Sequence, residues 1–324
     1  MVPDIYLNAI ASALGGKIEQ NNANNLHQPQ EDCERIVKKT GVRGRTIALP
    51  GQFTSDLSCM ATSELLRKLN TSASAIQTLL VCTQTPDHLI PGVSSRVHGE
   101  LGFPEECLVF DINQGCSGFV VGTQTVTALL RSSSDSAVLI NADTYSRLIR
   151  PNDLATRVLF GDAATASMFS TQPPGLRVIY NRCFANGNGY DAFVARNSAT
   201  RIDPDHSAGI YMDGPGILNF ALHVVPEAIH QALKANGLTI EQIRLFAFHQ
   251  ANSFMIGKLT QKLHISAEQA PQNCEHLGNT VSASIPLLLL DHWQELKDRE
   301  LVMAIGFGVG LSWGVSLFEY RSDH

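Results

Sequence analysis

Short apolar segments alternate with longer amphipathic segments along the first half of the chain. Apolar runs at 79–84, 107–112 and 137–143 predict buried strands. Helical spacing of apolar residues predicts a helix at 56–69, and a second predicted helix at 116–130 is apolar on nearly every face. Because a helix without a polar face is normally buried, we expect the helix at 116–130 to lie inside the protein.

A similar order of segments recurs after the proline-containing turn at 171–176. The pattern there predicts a strand at 176–183, a helix at 216–237, a strand at 243–248, helices at 253–263 and 280–297, and two strands around a glycine-rich turn at 301–320. Strands that alternate with helices indicate an α/β fold. Two halves of similar order indicate an ancient duplication, and we divide the chain into halves at 1–172 and 173–324.

Three other segments have less regular patterns. The run at 157–169 predicts a fourth strand with a turn at its start. The polar run at 19–32, rich in Asn and Gln, predicts a loop. The segment at 181–209 is long and irregular, and loops of that length often form lids or binding segments.

Composition is ordinary for a globular protein, with 324 residues, 44% of them hydrophobic and 17% charged. The net charge of −6 argues against nucleic acid as a partner, since a basic face would be expected for that role. No apolar stretch reaches the roughly 20 residues of a membrane span, and the first residues lack the features of a signal peptide. Seven scattered cysteines without a CxxC pair argue against a disulfide framework or a structural zinc site, so we expect a reducing, cytoplasmic setting.

One cysteine has an unusual context, the sequence DINQGCSGF at 111–119. Cys116 follows a predicted strand and lies at the first turn of the predicted buried helix, between Gly115 and Gly118. A helix N-terminus favours negative charge by ~1–2 kcal/mol, which corresponds to roughly one pKa unit. We therefore expect a lowered thiol pKa and a reactive thiolate, although most cysteines in such positions are inert core residues.

Three further motifs carry candidate chemistry. FAFHQAN puts His249 directly after an apolar strand, where ligands gather in α/β sheets, and Asn252 or Ser253 is placed to cap the next helix. HLGNTVSASIP puts Asn279 at the start of an apolar helix, a position that an ordinary N-cap would also explain. GFGVGLSWG at 306–314 is a glycine-rich turn that could bring a backbone N–H close to a reacting centre.

Taken together, these motifs resemble the type III β-ketoacyl carrier-protein synthases, which are thiolase-like condensing enzymes. The resemblance covers essentially the whole chain. It includes TGVRGR, DINQGCSGF, LFGDAA, HQAN, GNT and GFGVGLSWG, all in the order of the family.

The resemblance implies a five-layered αβαβα sandwich built from two similar halves, usually a homodimer. It implies that Cys116 is the nucleophile, that His249 and Asn279 complete a triad, and that the backbone N–H groups of Cys116 and Val309 form an oxyanion hole. The substrates would be thioesters of coenzyme A or of an acyl carrier protein, with no metal and no further cofactor. The resemblance also implies a substrate-binding set: Lys39, Ile90, Phe160, Gly214, Asn252, Phe307 and Gly308.

Several positions depart from the pattern of the family. Arg35 and Leu154 stand where chain-initiating members carry the tryptophan and arginine that sandwich adenine. Phe254 replaces an arginine linked with carrier-protein docking, Pro215 replaces an asparagine, and Val309 replaces a glycine. We therefore expect a specialised member, for example in secondary metabolism or glycan acylation, with altered donor recognition.

Two positions of the substrate-binding set carry more specific expectations. Lys39 keeps the positive charge of a family arginine and could meet a phosphate of the donor, although a solvated surface lysine is equally consistent with the sequence. Ile90 falls where family members insert a residue, in many of them aromatic, into the acyl pocket of the partner subunit. Its smaller side chain would then admit longer acyl chains.

Other classes of function remain open from the residues alone. A papain-like cysteine hydrolase also orders Cys, His and Asn, with His and Asn ~130–150 residues after Cys, but its C-G-S-C-W signature is missing. Acyl transfer to O, N or S without decarboxylation is a second enzymatic alternative. The third is a non-catalytic partner subunit, which we would expect to have lost one of the three catalytic side chains.

Overall fold

The computed structural model describes residues 3–132, 134–150 and 152–322. Up to residue 170, its helices and strands are β1 (Tyr6–Leu14), β2 (Lys17–Gln20), α1 (Ala23–Leu26), α2 (Gln30–Thr40), β3 (Gly44–Ile47), α3 (Thr54–Lys68), β4 (Thr78–Cys82), α4 (Val93–Leu101), β5 (Leu108–Ile112), α5 (Gly118–Ser132), β6 (Ser136–Asp143), α6 (Leu154–Arg157) and β7 (Ala163–Ser170). From residue 175 they are β8 (Gly175–Ala185), β9 (Phe193–Arg196), β10 (Gly209–Met212), α7 (Gly214–Asn236), β11 (Ile243–Phe248), α8 (Ser253–Leu263), α9 (Cys274–Leu277), α10 (Ser284–His292), β12 (Leu301–Gly308) and β13 (Ser312–Arg321).

Strand order repeats on the two sides of one large sheet. Within the described ranges the order is β11-β12-β13-β8-β1-β7-β6-β4-β5. On one side β1, β7 and β6 are antiparallel in turn and β6, β4 and β5 are parallel. On the other side β8, β13 and β12 are antiparallel in turn and β12 is parallel to β11. The same topology twice is what a duplication would leave, while the division at 172/173 stays a prediction.

The two wings of the sheet meet at a short join and enclose a central helical layer. Strands β1 and β8 pair at only two positions, Tyr6 with Arg177 and Leu7 with Leu176. Helix α5 contacts strands of both wings, and so does α10. Helices α3 and α4 cover the outer face of one wing and α7 covers the other, with α8 packed on α7. These are the five layers of the αβαβα sandwich, so the expected fold class is confirmed.

The apolar character of α5 explains its place in the centre. Phe119 and Val126 are buried on one face of the helix, and Val120 and Gly122 are buried on its two sides, whereas Gln124 and Ala128 are exposed. A helix with apolar side chains on opposite faces loses free energy unless both faces are covered, and two sheets provide that cover. The helix begins at Gly118, two residues later than predicted.

Several predicted segments differ from the structure. The run at 19–32 is not a loop, because it contains α1 and the start of α2. The 181–209 segment is partly regular, since β8 extends to Ala185 and β9 pairs antiparallel with β10. The helix predicted at 280–297 is shorter, with α10 flanked by single 3₁₀ turns. The 157–169 run, by contrast, is as predicted, since a turn precedes the strand that begins at Ala163.

Strand β1 was not predicted, although it forms the join between the wings. Its sequence YLNAIASAL is rich in small residues, and alanine is uncommon in strands. Small side chains suit this position because α3 packs closely on β1, with Ala9, Ala11 and Ala13 buried in one cluster with Leu57. Tertiary packing therefore overrides the low preference of alanine for strands.

Within the described ranges all seven cysteines are free thiols. No helix among the described residues is long and apolar enough to cross a membrane.

We predict that Leu288→Ala destabilises the protein by about 2–5 kcal/mol, because it leaves a cavity in the central layer. Leu288 is 1% exposed in α10 and packs against both wings. The free energy of unfolding is measured by urea denaturation. The control Leu49→Ala, at a side chain that is 45% exposed, is expected to cost less than about 1 kcal/mol. Equal losses in the two variants would contradict the layered core.

Candidate active site

Cys116 lies in the short connection between β5 and α5, directly before the helix. The backbone N–H of Gly118 donates to the carbonyl of Gly115 at 2.7 Å, and that of Val121 donates to Ser117 at 3.0 Å, so the helical turn closes just after the cysteine. The Cys116 side chain is 5% exposed. A Cβ added to Gly308 would lie 2.9 Å from Sγ, so only glycine lets β12 pass this close to the thiol.

The pKa of the Cys116 thiol is raised, contrary to the expectation from its place beside a helix N-terminus. Burial is the largest cause, the nearby Asp143 carboxyl adds to it, and together they raise the pKa to about 12. The helix dipole contributes roughly one pKa unit in the opposite direction, which is too little to offset burial. At neutral pH the thiol therefore holds its proton, and an attack on a substrate needs a group that accepts it.

Two backbone N–H groups face the Cys116 sulfur. They belong to Cys116 itself and to Val309, and their hydrogen bonds to the thiol lower its pKa, although by less than burial raises it. These are the two donors that the sequence predicts for an oxyanion hole. Val309 lies directly after β12, in the glycine-rich turn before β13.

His249 is held at the end of β11 by its backbone and its ring. Its N–H donates to the Ile305 carbonyl at 2.8 Å, and its side chain is 1% exposed. Nδ1 lies 2.7 Å from Ser284 Oγ, whereas Nε2 is buried without a hydrogen-bond partner. The Phe307 ring meets the imidazole edge-on at 5.6 Å. Burial lowers the pKa of His249 to about 3, so the ring is neutral at physiological pH.

Asn279 is fixed by bonds on both sides of its backbone. Its N–H donates to the Leu159 carbonyl at 2.7 Å, and its carbonyl accepts from Gly161 at 3.0 Å. Its side-chain Oδ1 accepts from the Val281 N–H at 2.9 Å, so the residue does cap the following turn. Because Oδ1 is engaged, the amide N–H₂ is the group that can serve a ligand.

Asp143 is a buried carboxyl beside the site that the sequence analysis missed. Its Oδ2 accepts from the Ser282 hydroxyl at 2.6 Å and its Oδ1 from the Gln84 N–H at 2.8 Å. Burial raises the pKa of Asp143 to about 7, and the hydrogen bond from Ser282 opposes that rise. The carboxyl ties the end of β6 to the 3₁₀ turn at 281–283, which connects Asn279 to α10. No local pattern marks a side chain whose partners lie this far along the chain.

A cavity of about 910 Å³ connects Cys116, His249 and Asn279 to the surface. Cys116, His249 and Asn279 all line it. So do six of the seven residues of the expected substrate-binding set: Lys39, Phe160, Gly214, Asn252, Phe307 and Gly308. The seventh, Ile90, does not line the cavity and is 86% exposed on the loop after β4.

Several positions at which this sequence departs from the family pattern also line the cavity. Leu154, Pro215 and Phe254 line the cavity, whereas Arg35 does not and instead pairs with Asp32 at 2.7 Å. Arg150 also lines the cavity and was missed by the sequence analysis. Asn252 has a second role, since its Oδ1 caps α8 by accepting from the Met255 N–H at 2.9 Å.

The site has the donors and acceptors of acyl-transfer chemistry. A thiol, a neutral imidazole with an open Nε2, an amide and two backbone N–H groups are gathered at one cavity. Among the residues described, no group of three His, Cys, Asp or Glu side chains is placed to hold a metal ion.

Comparison with known proteins gives a consistent result. The family model of 3-oxoacyl-[acyl-carrier-protein] synthase III matches residues 110–187, and the model of its C-terminal part matches residues 233–320. A beta-ketoacyl-[acyl-carrier-protein] synthase III of Trichormus variabilis is 34% identical over 297 residues and 89% of each chain. One of Gloeobacter violaceus is 32% identical, over 94% of this chain and 96% of its own. The crystal structure of a 3-oxoacyl-(acyl-carrier protein) synthase from Burkholderia xenovorans has a TM-score of 0.93 and 28% identity, covering 99% of this chain and 95% of its own.

We predict that Asp143→Asn lowers the pKa of Cys116. The Asp143 carboxyl is ionised above pH 7, so in the alkaline range its negative charge disfavours the thiolate. Removing the charge should move the pH midpoint of Cys116 alkylation by iodoacetamide downward by about one unit, as followed by mass spectrometry.

The matched control is Asp162→Asn, a buried carboxyl that accepts from Ala48 and Ser146 instead of from the site. Its midpoint should stay at the wild-type value. Equal movement in both variants, or movement in neither, would rule out an effect of the Asp143 charge.

Proposed function

We propose that this chain, which belongs to the 3-oxoacyl-[acyl-carrier-protein] synthase III family, loads an acyl group onto Cys116 and condenses it with a malonyl-type thioester. The family makes it an acyltransferase of the ketosynthase type, a thiolase-like condensing enzyme. The observation that carries the two-step proposal is the meeting of Cys116, His249 and Asn279 in one cavity, with two backbone N–H groups at the sulfur.

In the first step, Cys116 Sγ attacks the carbonyl carbon of an acyl thioester. The thiol proton passes to His249 Nε2, and the tetrahedral oxyanion is stabilised by the N–H groups of Cys116 and Val309. The bond between the acyl carbon and the donor sulfur breaks, and the donor sulfur takes the proton from Nε2 and leaves as a thiol, so the ring is neutral again. The acyl group remains on Sγ.

In the second step, a malonyl-type thioester loses CO₂ and the electron pair of the broken C–C bond forms an enolate. As the negative charge forms, His249 Nε2 takes up a proton from water, and its N–H and the amide N–H of Asn279 donate to the enolate oxygen. The enolate carbon attacks the acyl carbonyl, which again uses the N–H groups of Cys116 and Val309. When the Sγ–C bond breaks, Sγ recovers its proton from Nε2 and the β-ketoacyl thioester is free.

The acyl donor is a thioester of coenzyme A or of an acyl carrier protein, and the named relatives point to a carrier protein in the reaction. The reaction needs no metal and no further cofactor. Lys39 supplies positive charge at the cavity for an anionic donor, whereas Arg150 is paired with Asp153, a carboxylate that also lines the cavity. Because Leu154 and Phe254 make the cavity more apolar than the family pattern, we assign the chain to a specialised branch, in secondary metabolism or glycan acylation.

The exposed loop after β4 supports a homodimer. Leu89 is 64% exposed and Ile90 is 86% exposed, and exposed apolar side chains of this kind favour burial against a partner. We propose that Ile90 enters the acyl pocket of a second copy, where its size sets the length of the acyl chain.

The site gives less support to two other functions. Transfer to O, N or S without decarboxylation needs Cys116 and His249 but gives Asn279 no role. A non-catalytic partner subunit needs none of the three, and it leaves their common cavity unexplained.

We predict that intact-protein mass spectrometry finds one acyl adduct after incubation with acyl-coenzyme A, and that Cys116→Ala abolishes it. Cys82→Ala is the matched control, because Cys82 is also fully buried and its thiol pKa is also raised. It should retain the adduct. An adduct on another residue, or none with any donor of a panel, would contradict the proposal.

We predict that Asn279→Asp forms the adduct but condenses about a hundredfold more slowly or worse, because a carboxylate repels the enolate. Single-turnover release of CO₂ from a malonyl thioester, started from the acylated protein, measures the step. Asn70→Asp adds the same charge at an exposed position and should leave the rate unchanged. Normal condensation by Asn279→Asp would contradict the role of Asn279 at the enolate, and acylation without any release of CO₂ in the wild type would favour transfer without decarboxylation.

A further inference from the structure

Ser284, the first residue of α10, has one hydroxyl and three polar neighbours. Its Oγ lies 2.9 Å from the Val281 carbonyl, 2.7 Å from His249 Nδ1 and 3.4 Å from the Gln250 N–H. The residue is 1% exposed, so water does not compete for these bonds. Ser284 therefore holds the imidazole from the side opposite the cavity.

The neighbours of Ser284 favour one arrangement of protons. The hydroxyl of Ser284 donates to the Val281 carbonyl, whose second lone pair accepts the backbone N–H of Ser284. Oγ can then only accept from the ring, which places the ring proton on Nδ1. A neutral imidazole with its proton on Nδ1 presents a lone pair at Nε2, the atom that is buried without a protein partner.

We propose that Ser284 is a positioning residue that keeps the proton of His249 on Nδ1, so that Nε2 is ready to accept the proton of Cys116. The inference rests on the two-step function proposed above and names what prepares its first step. Nε2 passes the proton that it takes from Sγ to the departing donor sulfur, and it takes up a second proton from water when the enolate forms.

The site needs such a device because both reacting groups are buried. The thiol keeps its proton at neutral pH, so the first step depends on an acceptor and not on a pre-formed thiolate. With the proton on Nε2 instead, the ring would offer the thiol only a donor, and proton transfer from Sγ would stop.

Nuclear magnetic resonance measures the tautomer of the His249 ring directly. The full-length protein is labelled with ¹⁵N-histidine, and long-range ¹H–¹⁵N spectra are recorded at neutral pH, with His249 assigned through His249→Asn. In the wild type we expect a neutral ring with a protonated Nδ1. A wild-type ring protonated on Nε2 overturns the proposal without reference to any other variant.

The variants separate positioning from general stabilisation. Ser284→Ala should shift the ring towards the Nε2-protonated tautomer, and Ser284→Thr, which keeps the hydroxyl, should restore the wild-type spectrum. The matched control is Ser282→Ala, which removes a buried hydroxyl of the same segment that bonds to Asp143 instead of the ring. It should leave the tautomer unchanged. An unchanged spectrum in Ser284→Ala, or the same shift in Ser282→Ala, overturns the proposal.

Rapid-quench mass spectrometry then compares the two half-reactions. Ser284→Ala should slow acylation roughly tenfold, the loss typical of one removed hydrogen bond to a reacting group, and slow condensation of pre-acylated protein less. Equal slowing of both half-reactions overturns the proposal. If no acyl adduct forms even in the wild type, the proposed function fails, while the spectra still decide the role of Ser284.

Discussion

Packing of α5 between the two wings of the sheet places Cys116 where water cannot solvate a thiolate, and the rest of the site depends on that burial. The sandwich covers α5 on opposite faces, and the cysteine directly before the helix is covered with it. Burial holds the thiol in its protonated form and the imidazole in its neutral form. The remaining polar groups are arranged around a neutral thiol and a neutral imidazole, rather than around an ion pair.

Buried polar groups in this region are tied to one another across long distances in the chain. Asp143 accepts from Ser282, and Ser284, two residues later, contacts His249. The same short segment begins at Asn279, so one turn of chain connects the amide, the carboxyl and the imidazole. Unpaired polar groups would be costly in so dry a place, and the bonds that satisfy them also fix the geometry of the site.

The sequence predicts more of the site than of its electrostatics. The meeting of Cys116, His249 and Asn279 could be anticipated because their short motifs together resemble one family, and burial of α5 was expected because nearly every face of the helix is apolar. Strand β1 escaped prediction because its alanines suit a close contact with α3 that no local pattern records. The direction of the Cys116 pKa was wrong because the helix dipole is a local property and burial is a global one. Asp143 and Ser284 were missed because their partners are brought to them only by the fold.

In the proposed reaction, one sulfur, one pair of backbone N–H groups and one cavity of about 910 Å³ would serve both thioesters. A volume of this size suits a single ligand of the dimensions of a thioester arm. On that proposal the first carrier would leave as a free thiol before the second thioester enters. Turnover would then follow a double-displacement order, in which an excess of either substrate binds to the form of the enzyme with which it cannot react.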